Sequence, residues 1–160
     1  MEGATQDAPS GPGTGLPRLA MMLGFAGLLP QVLVVATLIL GGDAERFTAL
    51  SVGYAYAALI FSFLGGLWWG LAAASGKRVP NWIWFAAVGP SLIALATAWP
   101  WATGGEWPGP SLLILGLAIA GSLLVDWRMK TCGLTPPGWL ALRVPLSIGL
   151  GVLTVLAGLA

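Results

Sequence analysis

The chain has 160 residues, of which 57% are apolar and 8% charged, whereas a soluble domain carries about 25% charged residues, so an ordinary water-soluble globule is excluded. Seven basic and six acidic side chains leave a net charge of +1, and no stretch is basic enough to bind nucleic acid. With no histidine and one cysteine, Cys132, the chain cannot form an internal disulfide, a histidine-ligated metal site or a Ser-His or Cys-His catalytic pair.

Residues 1–17, MEGATQDAPSGPGTGLP, are rich in Gly and Pro and offer almost nothing to a core, which predicts a disordered tail. The tail is acidic, unlike the basic start of a secretory signal peptide. Five runs without Asp, Glu, Lys or Arg follow, at 19–40, 49–74, 82–101, 107–125 and 144–160. About 20 helical residues cross a hydrocarbon core of about 30 Å. Four runs meet that length, and the last, at 17 residues, stands at its lower limit. Backbone polar groups in lipid must be satisfied internally, and uninterrupted runs lack the alternation of a barrel. The expected fold is therefore all-α: a polytopic bundle of five transmembrane helices with short loops over residues 18–160.

If all five runs span, one side carries Arg18, Lys77, Arg78, Arg128, Lys130 and Arg143, and the other only Arg46. Basic loops stay inside, which predicts a cytoplasmic N-terminus and an external, periplasmic C-terminus. Seven tryptophans, Trp82, Trp84, Trp99, Trp101, Trp107, Trp127 and Trp139, fall near the ends of the runs. They are expected as headgroup-level belt residues.

On the second run, SFLGGLWWG at 62–70 mixes the smallest and the bulkiest side chains. Ala58, Ser62, Gly66, Gly70 and Ala74 stand four apart and share one stripe. Such a stripe is expected to bring a neighbouring helix close. The alternative is a flat groove for a quinone, pigment or lipid, walled by Phe61, Phe63, Trp68 and Trp69. Gln31 after Pro30, Ser62, and Ser91 after Pro90 interrupt three runs near mid-depth. Proline frees a carbonyl one turn earlier, and these side chains are suited to donate to it; a transport pathway is the sharper reading, but ionisable residues are missing from the runs.

Asp126 directly follows the fourth run, where a helix dipole is negative and a carboxylate wants a cationic partner. It is expected to pair with Arg143 or Arg18, closing the bundle at the cytoplasmic interface. As a catalytic acid it has no histidine, second carboxylate or nucleophile nearby in sequence. Cys132 beside Lys130 is expected to be an ordinary thiol.

The segments PRLAMMLGFAGLLP at 17–30, YAALIFSFLGGLWWGLA at 56–72, VGPSL at 88–92 and VDWRMKTCGLTPPGWLALRVPLS at 125–147 resemble the transmembrane-protein-69-like family, membrane proteins of unknown function found in bacteria and mitochondria. The resemblance covers almost the whole chain after the tail and implies a multi-span bacterial inner-membrane protein with no established reaction. It directs attention to Arg18, Ser62, Gly65, Gly66, Trp69, Gly70, Asp126, Arg128, Arg143 and Pro145. Where that family often has a basic residue or histidine before its motif tryptophan, this chain has Trp68. The expected function is a non-catalytic component packing against a larger membrane complex, with the lipid bilayer as its other partner and no cofactor or metal. The alternatives are a binder or carrier of an apolar small molecule in a groove along the second helix, and an enzyme acting through the 126–143 loop.

Overall fold

The computed structural model describes residues 16–105 and 108–160. Among them every regular element is helical: α1 (Arg18–Ala26), α2 (Leu29–Leu40), α3 (Asp43–Ala74), α4 (Trp82–Ala102), α5 (Gly109–Gly121), α6 (Leu123–Thr131) and α7 (Trp139–Leu159). Counted as α1 with α2, α3, α4, α5 with α6, and α7, they make five helices long and apolar enough to cross a membrane. The five-helix fold expected from the apolar runs is the one observed. The expected tail as far as residue 15, and Trp107, lie outside the described residues.

Helices continue where charges ended the apolar runs. α3 starts at Asp43, with Asp43 and Glu45 in its first turn, where the positive end of the dipole favours carboxylates. The fourth span runs on through Asp126 to Thr131, with Arg128 and Lys130 in its last turn, at the negative end. α7 starts at Trp139 and has 21 residues, about 32 Å at 1.5 Å per residue, so the fifth span is no longer short. The supposed 126–143 loop thus shrinks to residues 132–138, because backbone hydrogen bonding does not stop at a charged side chain, and the two that bounded the segment, Asp126 and Arg143, pair with each other.

The first span is broken. Pro30 has no N–H to offer, and the chain tightens between α1 and α2, with the Leu28 N–H bonding to the Phe25 carbonyl at 3.0 Å. The donor that meets the Gly27 carbonyl there is the Tyr56 hydroxyl, a cross-helix partner in place of the local Gln or Ser expected.

Glycine sets the closest contacts between helices. α5 and α7 run antiparallel with Gly116 facing Gly151 and Gly109 facing Gly158. A Cβ on Gly116 would lie 2.8 Å from the Gly151 carbonyl, and one on Gly151 would lie 2.9 Å from the Gly116 carbonyl. α3 meets α4 at Gly65, where a Cβ would fall 2.3 Å from the Ala87 carbonyl oxygen. The expected stripe is not the packing face. Gly66 and Gly70 are exposed, and a Cβ on either would meet nothing within 4 Å. The helix rotation that buries Ala57, Phe61, Leu64, Trp68 and Ala72 turns that stripe outward. The core lies between these residues and Ile83, Leu112, Leu115 and Met129.

Candidate functional site

A buried polar cluster closes one end of the bundle. Asp126 is fully buried, carried inward by α6. Its Oδ1 accepts from the Trp68 and Trp139 indole N–H groups, each at 2.9 Å, and its Oδ2 accepts from Arg143 Nε at 3.0 Å. Arg143 also donates from one terminal nitrogen to Ser147 Oγ at 2.8 Å. Trp139, Arg143 and Ser147 stand four apart on α7, so one helical face delivers all three. Trp68 arrives from α3, and the carboxylate therefore ties three separate spans together.

The expected partner Arg143 is the one that pairs with Asp126; Arg18 is exposed at the start of α1. Trp139 is a correction. It is buried and bonded to the carboxylate rather than lying in a belt, because a buried indole N–H needs an acceptor and Asp126 supplies one. Trp99, Trp101 and Trp127 are exposed near helix ends, as expected of belt rings. Trp82 lies under the Arg128 guanidinium at 5.8 Å, and Trp84 meets Trp69 edge to face at 4.9 Å.

The remaining motif residues scatter. Gly65 is buried against α4, Ser62 is half-buried, and Gly66, Gly70, Arg128 and Pro145 are exposed. Gln31, Ser62 and Ser91 do not form a shared polar centre. Gln31 is fully buried and donates to Thr154 Oγ1 at 3.3 Å, while Ser91 is exposed. Sequence reasoning missed Trp68 as a donor. It was expected as a groove wall, and nothing in its spacing marked the face that α3 turns inward. The signal for Trp139 was the four-residue spacing to Arg143 and Ser147.

Chemically, the carboxylate is saturated. Both carboxylate oxygens accept charge-assisted or indole hydrogen bonds, and the nearby hydroxyl, Ser147, is itself bound to Arg143. The arrangement neutralises a buried charge and fixes α3, α6 and α7 in register. Beside it, a cleft of about 400 Å³ lies between α1, α3 and α7, with Trp139, Arg143 and Ser147 in its lining. Phe61 and Phe63 line it as the groove expectation had it, whereas Trp68 and Trp69 do not.

A family model described as "Protein of unknown function (DUF3429)" matches residues 16–159. Among curated proteins and among solved structures, nothing matches the chain.

Proposed function

The chain belongs to the DUF3429 family of proteins of unknown function, and within it we propose a non-catalytic, multi-pass component of the bacterial inner membrane that packs against a larger membrane assembly. The observation that carries this reading is the outward face of α3. Gly66 and Gly70 each cost a helix about 0.5 to 1 kcal/mol relative to alanine, yet among the described residues nothing beyond the adjoining backbone of α3 comes within 4 Å of where their Cβ atoms would be. Glycine there is explained by a helix from another protein approaching in the small-xxx-small manner. The saturated Asp126 carboxylate favours a structural role over acid-base chemistry. The narrower kinship with transmembrane-protein-69-like proteins, carried by SFLGG-x-x-WG and by the 125–147 segment, belongs to the same proposal. So does the orientation, with the N-terminus in the cytoplasm and the C-terminus in the periplasm. It is supported by the two basic loops joining at one end, where Lys77 Nζ donates to the Gly133 carbonyl at 2.8 Å.

Photo-crosslinking from position 66 or 70 in native membranes is expected to trap one membrane protein, with no such product from the equally exposed Leu124. Recovery of the chain only as a free monomer, with no adduct from either glycine position, would sink the proposal. A second reading, binding of an apolar small molecule, is favoured by the cleft along α3. It predicts saturable uptake of a hydrophobic ligand by the purified protein.

A further inference from the structure

We infer that the cleft between α1, α3 and α7 binds a membrane-dissolved molecule with an apolar body and a neutral carbonyl head, of the alkyl-quinone class, and that Arg143 is the donor to that head. The inference rests on the second reading above and gives it a site and a ligand class. At about 400 Å³ the cleft falls within the roughly 300 to 1,000 Å³ of small-molecule sites. Leu23 and Gly24 of α1, Ile60 and Phe63 of α3, and Leu142 and Leu146 of α7 form an apolar channel. Leu23 and Phe63 stay 64% and 63% exposed, so the mouth opens on the outer face of the bundle, toward lipid. α1 buries no residue of its own, so this wall can yield to an entering ligand without opening the core.

Arg143 is the charged side chain among the described residues of the lining, and it retains 10% of its side-chain exposure. A guanidinium has five N–H groups. Asp126 takes the one on Nε and Ser147 takes one on a terminal nitrogen, which leaves further donors on a side chain that borders the cleft. The charge balance selects the head group. Asp126 already neutralises Arg143, so an anionic head would bring a net negative charge into an apolar chamber, which is costly. A carbonyl oxygen uses the spare donors and adds no charge. An apolar molecule without an acceptor would leave those donors unmet.

The test uses the full chain in phosphatidylcholine nanodiscs, with a decyl-substituted benzoquinone labelled with carbon-13 at its carbonyls and, as the carbonyl-free control, decylbenzene. Tryptophan quenching reports quinone binding, and the infrared carbonyl stretch reports hydrogen bonding. Arg143→Lys keeps a cation for Asp126 while removing the forked donors. Ala20→Phe fills the cleft from the exposed side of α1. The expected result is saturable quenching, a carbonyl stretch below its value in protein-free nanodiscs, and loss of that displacement in Arg143→Lys. Affinity should fall about tenfold or more in Ala20→Phe. Should Arg143→Lys fail to fold, the wild-type carbonyl displacement and the Ala20→Phe titration decide. Saturable binding with an undisplaced carbonyl and equal competition by decylbenzene would overturn the quinone class and the role of Arg143 while leaving the second reading standing. Quenching that rises linearly and is unchanged by Ala20→Phe, with no competition by decylbenzene, would overturn both.

Discussion

Three side-chain donors, Trp68, Trp139 and Arg143, depend on Asp126 for their acceptor. Removing the carboxylate strands the Arg143 guanidinium in a buried site and leaves the Trp68 and Trp139 N–H groups without an acceptor. Breaking one side of a buried ion pair costs about 3 to 5 kcal/mol, so Asp126→Ala should markedly lower the thermal midpoint in detergent. Asp126→Leu combined with Arg143→Met should recover much of that loss, since a buried pair replaced by apolar side chains of similar volume is often neutral or better. Gln31 behaves in the opposite way. Its Oε1 is buried with no hydrogen-bond partner, and its one bond, to Thr154, is long at 3.3 Å. Gln31→Met should therefore leave stability within about 1 kcal/mol of the native chain or raise it, as read by denaturant titration. The ion pair was legible in the sequence because dipole and charge arguments are local. The two indole donors were hidden because a tryptophan near the end of an apolar run is ordinarily an interfacial ring, and only the rotation at which α3 packs on α4 turns Trp68 inward.

The helices themselves were legible from uninterrupted apolar runs, but their faces were not. α3 presents small residues on two lines, one through Ala57, Gly65 and Ala72, which is buried, and one through Ala58, Ser62, Gly66 and Gly70, of which Gly66 and Gly70 are exposed. Spacing alone cannot say which line meets a neighbour inside the chain, and the four-residue regularity of the second pointed to the wrong one. The structure makes the two lines separable by substitution. Gly65→Ala puts a methyl 2.3 Å from the Ala87 carbonyl oxygen, so one helix must shift, at a cost of about 1 to 3 kcal/mol. Gly66→Ala meets open space and should stabilise the isolated protein by about 0.4 to 1 kcal/mol. Equal effects of the two in a thermal melt would contradict the observed rotation of α3. Gly116 and Gly151 follow Gly65, since each backbone occupies the space the other's Cβ would need.

At the scale of the molecule, the single cysteine gives a direct check on topology. Cys132 is free and exposed, in the loop between α6 and α7 at the basic end. With the N-terminus in the cytoplasm, a membrane-impermeant maleimide should label it in inside-out vesicles and leave it untouched in intact spheroplasts; the reverse pattern would invert the proposed orientation. The proposed side assignment rests on the sequence, where six of seven basic residues fall on one side of the five spans. What joins the loops on that side could not be drawn from it, as the Lys77 bond to the Gly133 carbonyl and the stacking of Arg128 on Trp82 link residues from different spans.

The carboxylate at the centre of the cluster also imposes an order on biogenesis. Trp68 is synthesised before Asp126, but Trp139 and Arg143 come after it, so the fourth span leaves the ribosome with an acid whose counter-ion does not yet exist. Until the fifth span inserts, that acid favours the membrane surface over the interior, and only then is Arg143 present to pair with it. Nascent chains arrested just before residue 139 should therefore hold the fourth span accessible to aqueous labelling at position 126, whereas chains extended through α7 should protect it.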